Sequence, residues 1–83
     1  MSNIKVYLTA WCPDCWRAKK FLAKHGLEFD TVDIDESPDA EELVLRVNDG
    51  RRRVPTFEVD GRFFACSPFD ADLLAEELEI QKK

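Results

Sequence analysis

Trp11-Cys12-Pro13-Asp14-Cys15-Trp16 is the stretch whose reading decides the fold. Its two cysteines stand three positions apart, just after the apolar run from Ile4 to Leu8 and just before a helical pattern. Cys12 therefore falls at a helix N-terminus, where unpaired backbone N–H groups and the helix dipole favour an anion. A thiol in such a place loses its proton more easily, and the thiolate is the nucleophile of disulfide chemistry. Pro13 suits the first helical position, because its missing N–H would have gone unpaired anyway. One turn later Cys15 comes back within disulfide reach of Cys12. The stretch reads as a dithiol/disulfide switch.

Working outward, Ile4, Val6 and Leu8 alternate with Lys5 and Tyr7, the pattern of a short strand. On the other side, Ala18, Phe21 and Leu22 form a helical stripe from Pro13 to about Lys24, with Arg17, Lys19, Lys20 and Lys24 turned to solvent. Gly26 ends that helix as a left-handed cap. Glu28 to Ile34 reads as a second strand. Ser37 then caps a helix that opens on Pro38, carries Asp39, Glu41 and Glu42 in its first turn, and places Ala40, Leu43, Val44 and Val47 at helical spacing. Asn48-Asp49-Gly50 stops it. After Arg51-Arg52-Arg53 and Val54-Pro55 come two β-prone runs, Thr56 to Val59 and Arg62 to Ala65, joined by the hairpin signal Asp60-Gly61. Ser67-Pro68 repeats the helix-start chemistry with Asp70 closing a capping box, and the last helix is expected to bury Phe69, Leu73, Leu74 and Leu78. The order is β-α-β-α-β-β-α, with the first two strands parallel and the hairpin antiparallel.

Composition sets the bounds. At 83 residues the chain reads as one domain, residues 1–83. Twelve basic against seventeen acidic residues give a net charge of −5, the opposite of the balance that nucleic acid attracts. No run is long and apolar enough to serve as a signal peptide or span a bilayer, so a soluble cytoplasmic protein is the expectation. Three cysteines cannot all pair internally. In a reducing compartment a close C-x-x-C is catalytic or metal-binding rather than structural. A zinc site needs about four ligands, and only Cys66 and the lone His25 remain to complete one. No metal site is expected.

A βαβ unit with C-x-x-C at its first strand–helix junction, followed by Val54-Pro55 just before a hairpin, resembles the thioredoxin fold in its minimal form. At this length the chain resembles a glutaredoxin, and the segment from Val47 to Pro68 is similar to the mycoredoxins and their glutaredoxin-like relatives. The resemblance implies an α/β fold with a four-stranded mixed sheet and three helices. It implies a small dithiol–disulfide oxidoreductase with Cys12 as attacking thiol and Cys15 as resolving thiol. It implies a cis Pro55, with Val54 offering its backbone to an extended substrate. Trp11 and Pro13, beside the attacking sulfur, are substrate-contacting candidates. Arg53, within the 51–53 cationic run, is a candidate for the carboxylates of a thiol or an acidic substrate. Trp16 reads as core or rim.

Two departures from the family pattern stand out. Asp14 occupies a position usually held by an aromatic residue; its carboxylate opposes negative charge on Cys12, and Arg17 at i+3 can pair with it. Before the last helix, glutathione-using members usually carry Gly-Gly, then a hydroxyl residue and an Asp. Here the stretch reads Ala65-Cys66-Ser67-Pro68-Phe69, where Ser67 and the helix-start amides remain to hold an anion. The co-substrate is thus glutathione or another low-molecular-weight thiol, or the reductant is a flavin enzyme of thioredoxin-reductase type, with no tightly bound cofactor. Disulfide-containing proteins are the expected substrates and a monomer the expected state. Cys66 reads either as a small buried residue closing the hairpin or as a third thiol lining the cleft. Two other functions stay open: an iron–sulfur cluster carrier using Cys12, which Pro13 would crowd, and a redox-inert binding module.

Overall fold

A computed structural model describes residues 4–66 and 69–78. Among them, β1 spans Ile4–Leu8, α1 Pro13–Lys24, β2 Asp30–Asp33 and α2 Pro38–Val47. The hairpin follows as β3 (Thr56–Val59) and β4 (Arg62–Ala65), and α3 spans Ala71–Glu77. The strands form one sheet in the order β2-β1-β3-β4. β1 runs parallel to β2, with Val6 opposite Thr31, and antiparallel to β3, with Val6 opposite Phe57. β3 and β4 pair antiparallel through a turn in which Asp60 and Gly61 both take positive φ, 51° and 83°. Two left-handed residues match the right-handed twist of the flanking strands, which is why Asp-Gly sits there.

Both faces of the sheet are covered. Ile4, Val6, Leu8, Phe57 and Val59 meet Cys15, Ala18 and Leu22 of α1 and Leu74 of α3 in the larger core. Tyr7 points the other way, into a smaller core with Ile34 and with Ala40 and Val44 of α2. Sequence alternation paired Tyr7 with Lys5 as the polar side of the strand; instead Tyr7 is buried and its hydroxyl donates to Glu58 Oε1 at 2.9 Å. Burial, with the hydrogen bond and charge of Glu58 adding to it, pushes the Tyr7 phenol up to about 12.

Local chemistry sets the ends of the elements. The α1 C-terminus closes as a Schellman motif: Gly26, at φ +69°, donates to the Ala23 carbonyl and Leu27 donates to that of Leu22, both at 3.0 Å. β2 is shorter than the expected 28–34. Asp33 Oδ1 accepts the Asp35 N–H at 2.9 Å and turns the chain out of the ladder, while Ile34 stays buried just beyond the strand. α3 also starts later than expected. Asp70 is itself the N-cap, its carboxylate accepting from the Asp72 and Leu73 N–H groups at 3.0 and 3.1 Å, and the capping box expected on Ser67 lies outside the described residues. α3 buries Leu74 and Ala75 and leaves Leu73 38% exposed; Phe69 packs from before the helix and Leu78 from just after it. Among the described residues no helix is long and apolar enough to cross a membrane.

Candidate active site

β1 is buried to its last residue, Leu8, and the chain then rises through Thr9-Ala10-Trp11 to the start of α1. Cys12 is the N-cap, with extended backbone at φ −97° and ψ 111°, and Pro13 opens the helix. The Cys12 sulfur accepts the Cys15 N–H at 3.1 Å, so the cap that ends the orphan amides of α1 is a thiol. On its other side the same sulfur approaches the Val54 carbonyl at 3.6 Å, across 42 positions of chain. Cys15 lies one turn further on and is 1% exposed. Burial, aided by the hydrogen bond with Cys12 and partly offset by a backbone hydrogen bond at Thr9, pushes its thiol up to about 12. Both thiols are free, so this is the reduced dithiol.

Asp14 and Arg17 pair at 3.1 Å as their spacing predicts. Trp11 is 91% exposed beside Cys12, and Trp16 is 59% exposed with the Lys20 ammonium 4.8 Å from its ring centroid. Trp16 is thus rim rather than core.

The Val54–Pro55 peptide is cis. Beside it runs a half-buried polar tether: Thr56 Oγ1 donates to the Arg53 carbonyl at 2.6 Å, and Asn48 Nδ2 donates to Thr56 Oγ1 at 3.1 Å and to the Val44 carbonyl at 2.8 Å. From the hairpin side, the Cys66 N–H donates to the Pro55 carbonyl at 3.0 Å. The end of α2 and the first residue of β3 thereby aim the Val54 carbonyl at Cys12. Sequence reasoning missed Asn48 and Thr56 as site residues. It took Asn48 only as a helix stop, and Asn after a helix signals a stop whether or not its amide also reaches a neighbouring strand.

The cationic run divides. Arg52 turns away to bind Glu41 at 2.9 Å and Asp35, whereas Arg51 and Arg53 line a polar cavity of about 460 Å³ with Val47, Asn48 and Asp49. Cys66 is fully buried; its sulfur accepts the Asp70 N–H at 3.3 Å, and burial raises its thiol. It serves the junction between β4 and α3. Ser67 lies outside the described residues. Among the described residues, His, Cys, Asp and Glu form no group of three or more able to hold a metal ion.

A reduced C-x-x-C capping the first helix of a four-stranded mixed sheet, opposite a cis-proline loop, defines a dithiol protein of thioredoxin fold. The Glutaredoxin family model matches residues 4–64, and the chain belongs to the glutaredoxin family, whose members are thiol–disulfide oxidoreductases. It is similar to Mycoredoxin 1 of Corynebacterium glutamicum, 41% identical over 76 residues that cover 92% of this chain and 94% of that one. It is also similar to Glutaredoxin 3 of Escherichia coli K12, 35% identical over 63 residues, 75% of this chain and 74% of that one. Among solved structures, a mutant of the thioredoxin-like protein BC3987 superposes with a TM-score of 0.81 at 28% identity, covering 98% of this chain and all of its own. Glutaredoxins act on disulfides and use a low-molecular-weight thiol as co-substrate.

Proposed function

We propose that this chain reduces disulfides of proteins, or mixed disulfides, through Cys12 as nucleophile and Cys15 as resolving thiol, in the cytoplasm. One observation carries the reading: the Cys12 sulfur stands between the Cys15 N–H, at 3.1 Å, and the Val54 carbonyl, at 3.6 Å, with Cys15 buried beneath it. Burial keeps Cys15 in its thiol form, which leaves the attack on an incoming disulfide to the partly exposed Cys12. Cys12 bonds to one substrate sulfur as the substrate disulfide breaks, and the released thiolate takes a proton from water. Cys15 then gives up its proton and attacks the Cys12 sulfur. The second substrate sulfur leaves as a thiol and the Cys12–Cys15 disulfide remains; two electrons and two protons have passed to the substrate.

Val54 offers its backbone to the segment flanking the substrate disulfide, with Pro55 fixing the turn and Trp11 and Pro13 beside the sulfur. Arg53 faces the carboxylates of the recycling thiol. That recycling thiol is one other than glutathione, or the reductant is a flavin enzyme; the missing glycines between Ala65 and Phe69 support this. No observation favours a cluster carrier.

The test is a redox titration followed by the fluorescence of Trp11 and Trp16 against a dithiol buffer. A reversible two-electron transition between about −270 and −180 mV is expected, absent from Cys12→Ser and Cys15→Ser. No transition in the wild-type protein would end the proposal.

A further inference from the structure

Cys12, Trp16, Lys20 and Lys24 follow one another at a spacing of four, so they form a single row along α1 that begins at the attacking sulfur. Beside that row Phe21 and Phe69 meet edge to face, their centroids 6.2 Å apart. Together with Trp16, Arg17, Lys20 and Lys24 they enclose an open groove of about 270 Å³ whose floor is apolar and whose rim is cationic. The rim is unusual for this chain. α1 carries four cations against one carboxylate, in a protein of net charge −5. Arg17 is engaged by Asp14, and Lys20 lies over the Trp16 ring, which leaves that ring flanked by positive charge.

We infer that this groove docks an acidic segment bearing large apolar side chains, contributed by the protein whose disulfide Cys12 attacks. The inference rests on the disulfide-reducing role proposed for Cys12 and names the chemistry of the partner. Three features select such a segment. The volume takes one or two side chains, not a helix or a folded domain. The aromatic floor favours apolar side chains, and exposed aromatic anchors are what protein interfaces bury. The rim favours carboxylates at a distance and speeds their encounter. A segment seated there lies along the row that ends at Cys12, so binding also delivers the neighbouring disulfide. An anionic membrane surface is disfavoured as the occupant, because the whole chain is itself anionic.

The experiment compares single-turnover reduction of three synthetic peptides by the reduced protein, with a small uncharged disulfide as reference. All three carry the same Cys-Cys disulfide. The first is flanked by Glu and Leu, the second by Lys and Leu, the third by Glu and Ser. The wild-type protein should reduce the Glu–Leu peptide at least about tenfold faster than the Lys–Leu peptide at low salt, and severalfold faster than the Glu–Ser peptide. The charge preference should shrink towards unity in about 0.5 M salt, and the variant Lys20→Glu/Lys24→Glu should abolish or invert it. Both lysines are exposed, so the variant keeps its fold. Equal rates for the Glu–Leu and Lys–Leu peptides would overturn the inference, as would a preference that survives charge reversal. Retention on anionic lipid vesicles without any peptide preference would overturn it in favour of a membrane surface. Failure to reduce even the small disulfide would instead bring down the proposed activity, and the docking role with it.

Discussion

Two helices of this protein start with nearly the same sentence. Cys12-Pro13-Asp14-Cys15 opens α1 and Ser37-Pro38-Asp39-Ala40 opens α2. In both, the first residue is an extended N-cap whose side chain accepts the N–H three residues on, at 3.1 Å from sulfur and 3.3 Å from oxygen. In both, proline takes the first helical position, an aspartate follows, and the fourth residue is buried. The local geometry is shared and only the cap atom and its surroundings differ. A serine hydroxyl stays protonated at any ordinary pH, so at Ser37 capping is the end of the matter. A thiol ionises within reach of neutrality, and at Cys12 it also faces a carbonyl from the distant Val54 and shares its turn with a second thiol. The proposed chemistry would need no more than a helix cap with one atom exchanged and a second sulfur placed underneath.

The largest effect comes from erasing that difference. Cys12→Ser turns the start of α1 into a copy of the start of α2, and disulfide reduction should be lost entirely. Stability should change by only about 1 kcal/mol or less, since serine caps as well as any residue; thermal melts beside a reduction assay check both halves. The second effect sharpens the role of the buried sulfur, for which α2 has only Ala40. In the proposed mechanism the Cys15 thiol must lose its proton to resolve the mixed disulfide, and burial, the largest cause of its raised pKa, persists there, so only a small thiolate fraction exists at neutral pH. That fraction grows about tenfold per pH unit below the pKa, and release of the second substrate thiol should accelerate accordingly between roughly pH 6 and 8. A rate that levels off in stopped-flow measurements over that range would contradict it. The smallest effect breaks the other helix. Ser37→Ala should cost about 1 kcal/mol of stability and leave the reduction potential where it was, as paired denaturation and redox titrations would show.

Wherever one local rule governs a feature, the sequence displays it openly. The hairpin at Asp60-Gly61, the caps at Cys12 and Ser37, the close of α1 at Gly26 and the Asp14–Arg17 pair all follow from residues a few positions apart. The features that escaped reading are those that two local rules contest, or that only tertiary contact decides. Ser67 and Asp70 are both good helix caps, and the Asp70 N–H held by the buried Cys66 sulfur goes with the choice of the later one. Tyr7 sits in an alternating strand as its polar-looking member, and only the presence of α2 on that face makes it core. Arg52 cannot be told from Arg51 and Arg53 by sequence, because Asp35 and Glu41 come to it from elsewhere. In the candidate site the cap at Cys12 with Cys15 one turn on was legible from the residues, and the placing of Val54-Pro55 beside them from the resemblance, whereas the Asn48–Thr56–Arg53 tether joins two elements and leaves no short-range mark.

That tether bears on how a substrate would meet the protein. An extended segment pairing with Val54 needs a strand edge already in place, and ordering a free loop costs roughly 1–2 kcal/mol per residue. Here the buried Thr56 and the half-buried Asn48 hold the loop through hydrogen bonds that form when the chain folds. The entropy of arranging the edge is therefore met once, at folding, and not again at each encounter. What remains to be ordered at the moment of contact is the visitor.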